Sequence, residues 1–131
     1  MTAVNLIRVE RWTPDAAVDR DLDMLGGVLH ACVHAGASVS FVLPFSRDEA
    51  RAFWRDQVLP GVYGGSRCVL LARRAGQIVG TVQLDLATPP NQPHRAEVKK
   101  LLVHPEARRG GIARRLMAAA EEHARGAHRT L

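Results

Sequence analysis

The spacing of apolar residues divides the 131-residue chain into alternating strand-like and helix-like stretches. Asn5 to Arg11 reads as a first strand. Thr13-Pro14-Asp15 is a turn and helix-start signal, after which Val18, Leu22, Leu25, Leu29 and Cys32 recur at helical spacing. Gly26-Gly27 falls inside that stripe and costs about 1 kcal/mol per glycine relative to alanine, so a bend or break is expected there. His34 to Pro44 reads as an extended link. Ser46-x-x-Glu49 forms a capping box ahead of Ala50, Phe53, Trp54 and Val58, which predicts a second helix from Arg47 to Val58. Pro60 to Ser66 reads as a glycine-rich loop, and Arg67 to Arg73 and Gln77 to Leu86 as strands around an Ala75-Gly76 turn. Thr88 to Pro93 is a proline-rich loop, and Arg95 to Val103 is the next strand.

The stretch from Val98 to Arg125 organises the rest. Val98, Leu101, Leu102 and Val103 are strand-like, and Pro105 ends the strand because it has no N–H for a ladder. Gly110-Gly111 opens a helix whose inner face is Ile112, Leu116, Ala119 or Ala120, and His123. A helix start leaves unpaired N–H groups and carries roughly half a positive charge. Arg108 and Arg109 add formal charge beside it, so the turn suits a phosphate or pyrophosphate. A solvated basic turn capping an ordinary helix is the other reading. The glycines match neither a G-x-G-x-x-G fingerprint nor a P-loop, so nucleotide binding of those two kinds is not supported.

Composition narrows the class. The length fits a single domain over residues 1–131, and 47% hydrophobic residues is ordinary for a globular chain. No apolar run approaches membrane-spanning length, and the N-terminus shows no signal-peptide pattern. Cys32 and Cys68 read as two reduced core thiols of a cytoplasmic protein. The six histidines form no metal-ligand pattern. The formal charge of +5 is spread along the chain without interleaved aromatics, which argues against nucleic acid and for a polyanionic small molecule.

Arg108-x-x-Gly111-x-Ala113, preceded by Leu101-x-Val103-x-Pro105, resembles the cofactor motif of the GNAT family of N-acetyltransferases. There an Arg or Gln, a Gly three residues on, and a Gly or Ala two further stand between the fourth strand and its helix. The order strand, two helices, three strands, helix is also similar to the opening of that fold. The nearest resemblance is to antibiotic- and toxin-resistance acetyltransferases of the tabtoxin-resistance type. The resemblance implies an α/β fold with a mixed, mainly antiparallel sheet flanked by helices. Thr130-Leu131 reads as the first step of another strand. Family members continue with that strand, a helix and two more strands, so the expected fold is incomplete at its C-terminal end. A homodimer or a C-terminal partner is then expected to complete the sheet.

The resemblance also implies the chemistry: acetyl transfer from acetyl-CoA, without a metal, to a primary amine of a small molecule. Main-chain groups of Arg108, Arg109, Gly110, Gly111, Ile112 and Ala113 would hold the pyrophosphate. The backbone of Leu101, Leu102 and Val103 would run along pantetheine, with Val103 N–H as an oxyanion donor. Glu97 is the candidate general base, as some family members carry a glutamate there. A base of ordinary carboxylate pKa, about 4.3, is poorly matched to an ammonium near 10 unless burial raises it. The alternative for Glu97 is an ion pair with Lys99 on the same strand face. Tyr63, His94 and His104 are weaker proton-relay candidates, and Phe41 with the Gly36 to Pro44 link would line the acceptor pocket. A CoA-binding module without turnover is the runner-up.

Overall fold

The computed structural model describes residues 6–36, 45–87 and 94–131. The proline-rich loop and all of the expected acceptor link beyond Gly36, Phe41 included, lie outside the described residues. The elements are β1 (Ile7–Arg11), α1 (Val18–His34), α2 (Arg47–Phe53), a π-helical turn (Trp54–Val58), α3 (Leu59–Gly64), β2 (Arg67–Arg74), β3 (Gln77–Asp85), β4 (Glu97–Val103), a 3-10 turn (Pro105–Ala107) and α4 (Ile112–Gly126). The strands form one antiparallel sheet in the order β1-β2-β3-β4.

Helices cover both faces of this sheet, which explains the unbroken apolar run of β2. Val69 and Leu71 face α1 and α2, with Trp12, Leu25, Leu29 and Trp54. Cys68, Leu70 and Ala72 face α4, with Val82, Leu84, Ile112, Leu116 and Ala120. Trp12 meets Trp54 edge-on at 6.5 Å and donates its indole N–H to Asp21, which Arg73 also pairs at 3.2 Å. That arrangement satisfies a buried carboxylate from two sides.

Three expectations change. α1 runs unbroken through Gly26-Gly27. A Cβ on Gly26 would stand 3.0 Å from the Arg51 backbone nitrogen, so the glycine admits α2 against α1 instead of breaking the helix. The second helix keeps its Ser46–Glu49 capping box, but only Arg47–Phe53 is α-helical. From Trp54 the helix widens to a π turn, with Leu59 N–H reaching the Trp54 carbonyl, just before Pro60, which has no N–H to offer. The expected glycine-rich loop then begins as α3, with Pro60 tolerated in its first turn.

β4 carries one extra residue. Thr81 pairs with Leu102 and Gln83 with Lys99, two steps on β3 against three on β4. Lys100 takes up the bulge at φ +50, at a cost of roughly 1–2 kcal/mol for a non-glycine residue. The bulge re-phases the strand: Val98 and Val103 both face α4, while Leu102 turns to the α1 side. After Ala127 the chain returns to the segment just before β4, where Thr130 makes an isolated parallel bridge with Arg95.

Gly80 sets how closely α4 sits. A Cβ there would lie 3.1 Å from Ile112 Cγ2 and 3.2 Å from Leu116 Cδ1. Gly80→Val is expected to cost about 1–3 kcal/mol through overpacking, read as a lower urea midpoint at unchanged slope. An unchanged midpoint would mean that α4 steps back from the sheet without cost. Burial pushes the thiols of Cys32 and Cys68 above the ordinary range, against the partial counter-effects of Arg108 and Arg11. A folded pKa above the unfolded one gives stability that is whole below about pH 8.5 and drains as pH rises through the folded value. Urea melts at pH 7 and pH 10 should show a smaller alkaline loss in the Cys32→Ala/Cys68→Ala variant than in the parent chain; equal losses would contradict this.

Candidate active site

β4, the 3-10 turn and the start of α4 enclose a cleft of about 540 Å³. Its walls are Leu101 and Val103 from the strand, Ala107, Arg108 and Arg109 from the turn, and Gly111, Ile112, Ala113 and Arg114 from the helix start. Among the described residues, three arginines and no carboxylate line it.

The local sequence dictates this shape. Pro105 starts the 3-10 turn, and His104 caps it by accepting the Glu106 N–H on Nδ1 at 3.1 Å. Ala107 is buried and ties the turn to the core below. Arg109 and Gly111 both take left-handed conformations, at φ +70 and +76. Gly111 is the N-cap of α4, and no side chain caps the helix there. Among the described residues, nothing beyond its chain neighbours stands within 4 Å of where a Gly111 Cβ would be. The first N–H groups of α4 therefore meet the cleft without a side-chain acceptor, and the helix dipole and the arginines add positive potential. These features fit a pyrophosphate group.

At the end of β4, Val103 is braced from outside. His104 N–H bonds the Val79 carbonyl on β3, so by alternation the Val103 backbone points to the open edge. Its carbonyl accepts from Arg108 Nε at 3.2 Å and from the Cys32 thiol at 3.3 Å. Arg108, the first residue of the sequence motif, thus lies back across the strand end.

The expected residues divide as follows. Leu101, Val103, Arg108, Arg109, Gly111, Ile112 and Ala113 converge on the cleft. Leu102 has its side chain in the core between sheet and α1, and Gly110 adjoins the cleft without lining it. Glu97 lies at the far end of β4, exposed and directly opposite Asp85. The alternative for Glu97 is corrected: Lys99 pairs not with it but with Asp85, at 3.1 Å across the ladder. Tyr63 is 64% exposed on α3 and outside the cleft lining. His94 is exposed and its carbonyl receives the Thr130 N–H. Sequence reasoning missed Arg114 and Cys32. Arg114, in the first turn after Gly111, was legible from helical geometry; Cys32, 71 residues before Val103, was not.

The GNAT acetyltransferase family matches residues 33–131. An uncharacterized N-acetyltransferase of Azospirillum brasilense, from the hisH-hisA intergenic region, is 33% identical over 128 residues, covering 95% of this chain and 70% of that protein. Ribosomal-protein-alanine N-acetyltransferase from Brucella melitensis superposes with a TM-score of 0.70 at 25% identity, over 92% of this chain and 68% of that one. PaiA N-acetyltransferase from Thermoplasma acidophilum, solved in complex with coenzyme A, superposes with a TM-score of 0.60 over 91% and 73% of the two chains. At 17% identity that last likeness is one of fold. Sequence match and sheet architecture agree, and the chain belongs to the GNAT family of acetyltransferases.

Proposed function

We propose that this chain transfers an acetyl group from acetyl-CoA to a primary amine of a small molecule, in the cytoplasm. The observation that carries this reading is the uncapped α4 start, facing a cleft with three arginines and no carboxylate. Main-chain N–H groups from Arg109 to Ala113 hold the pyrophosphate, with Arg108, Arg109 and Arg114 neutralising it. The outward backbone of Val103 lies along the cofactor's extended arm, as a neighbouring strand would. Two free, buried cysteines fit a reducing compartment.

Acetyl-CoA brings an activated thioester; the chain must orient it, accept the amine's proton, stabilise the oxyanion and, as the C–S bond breaks, let a proton reach the departing CoA thiolate. Val103 N–H lies six residues from Glu97, roughly 17–20 Å along the strand, so it serves the cofactor's arm and not the oxyanion of an amine held at Glu97. Glu97 is the proposed base, on the same strand and on the face opposite α4; it is exposed and so lacks the burial that direct proton abstraction asks for, and it acts through water. Removing the proton before attack matters because an ammonium has no lone pair to offer.

Two substitutions separate grip from chemistry. Gly111→Asp places bulk and negative charge where the pyrophosphate sits, and should weaken acetyl-CoA binding roughly a hundredfold or more by calorimetry. Near-parental affinity in that variant would remove the cofactor site from this loop. Glu97→Gln should bind acetyl-CoA as the parent does and lower kcat about a hundredfold at neutral pH. An unchanged pH–rate profile would take the base role from Glu97. Tight cofactor binding with no acetyl transfer to any amine would leave a CoA-binding module in place of an enzyme.

A further inference from the structure

One residue holds the turn that carries the cofactor cleft, and its ring lies outside the cleft lining. His104 follows the last residue of β4, and its N–H donates to the Val79 carbonyl of β3 at 2.8 Å. Its carbonyl accepts the Ala107 N–H at 2.8 Å, and its Nδ1 accepts the Glu106 N–H at 3.1 Å. Pro105 has no N–H, so these two donors are the first that the 3-10 turn presents, and both end on His104. The far end of the connection is held less firmly. Gly111 gives α4 no side-chain cap, and Arg109 stands at φ +70 although it is not glycine. A side chain in that backbone region persists only where its surroundings over-determine it.

The bond at Nδ1 also depends on charge state. A neutral imidazole has one N–H and one bare nitrogen, whereas an imidazolium has two N–H groups and accepts nothing. With Nδ1 accepting, the proton of neutral His104 sits on Nε2. Protonation at Nδ1 would set two donors against each other and release the Glu106 N–H. The half-buried ring lines a second cavity of about 230 Å³, between α1 and β3, with Asp23, Val28, Arg47, Gln77 and Ile78. The charged groups there are engaged elsewhere. Asp23 holds Arg51 at 2.6 Å, and Arg47 donates to the Asp23 carbonyl at 3.4 Å. Gln77 and Ile78 of β3 carry no charge, and in the turn Glu106 and Arg108 flank the ring in sequence. Among the described residues no carboxylate pairs with His104, so nothing there makes up for the lost bond.

We propose that His104 is a positioning residue for the cofactor, and that its neutral form sets the turn on which acetyl-CoA is held. The proposal rests on the cofactor half of the reading above. The direction of the pH effect separates it from a simple charge effect. A positive charge added near an anion site would by itself strengthen binding of a polyphosphate. Loss of the turn bond acts the other way, so acid weakens binding in the parent relative to a variant that accepts the same N–H at every pH. Asparagine supplies that variant: its side-chain oxygen accepts the N–H two residues on, and it does not titrate.

Nitrogen–proton NMR of isotope-labelled protein without ligand tests the turn directly. The neutral ring should show its bare nitrogen at Nδ1, and the Glu106 and Gly111 amide signals should move in step with the ring's own titration between about pH 8 and 5. Calorimetry with CoA tests the link to binding. At about pH 7.5, His104→Asn should match the parent within about twofold, while His104→Ala binds about three- to tenfold more weakly. On going to about pH 5.5, the parent should lose about three- to tenfold more affinity than His104→Asn; titration of the CoA phosphates is common to both and cancels. A bare nitrogen at Nε2, a Gly111 signal indifferent to the ring, or an acid loss in the parent no larger than in His104→Asn overturns the proposal. Ring and turn titrating together, with CoA bound by neither parent nor variant, would sink the acetyl-CoA reading alone.

Discussion

How closely α4 approaches the sheet governs the rest of the structure. Ile112 and Leu116 rest over the bare backbone of Gly80, and Gly80 is paired with Val103. The point where helix touches sheet is therefore also the end of β4. Ala107, buried beneath the turn, pins the connection to the same core. With both ends held, the turn has little choice of path, and the uncapped N–H groups of α4 are brought to the strand end instead of opening to bulk water. A helix standing farther off would leave the same glycines and arginines as a solvated cap. Packing, more than the motif, distinguishes those two outcomes.

The bulge in β4 is the second constraint, and it divides the strand into two stretches of different phase. Before it, Glu97 and Lys99 face the α2 side with Gln83 and Asp85; beyond it, Leu102 holds the core and Val103 presents its backbone to the open edge. A regular strand would put Val98 and Leu102 on one face and Val103 on the other. The strain of Lys100 at positive φ thus keeps the face of Glu97 and Lys99 and the backbone of Val103 usable on one short strand.

Much of this was legible from residue order. The run from Val98 into α4 is legible because each part has a strong local cause: a mostly apolar run, a proline stop, glycines and then a helical stripe. The capping box at Ser46 was read for the same reason. What escaped has non-local causes. The Gly26-Gly27 pair looks like a helix breaker until Arg51 is seen packed against it. The Lys99–Asp85 pair depends on strand register, which the bulge shifts by one residue, and no periodicity in β4 alone announces it. His123 was placed on the inner face of α4, yet the fully buried position is Ala124, because the stripe drifts as the helix runs on.

The charge pattern takes its meaning only from the fold. At +5 the chain looks diffusely basic, since arginines occur in every region. Folding sorts them. Arg51 is held by Asp19 and Asp23, Arg73 by Glu10 and Asp21, and Arg55 by Asp56. Individually, exposed pairs of this kind add little stability. Their consequence is spatial: they draw carboxylates to the body and leave the cleft lining without one. Positive potential is then concentrated at the helix start, where low-lying backbone donors reinforce it. On the α2 side, by contrast, carboxylates and cations stand within reach of one another, so charge there is tuned by partners. One strand therefore borders two electrostatic environments, a cleft lined by three arginines without a carboxylate among the described residues and a cluster in which Arg67 and Lys99 share Asp85.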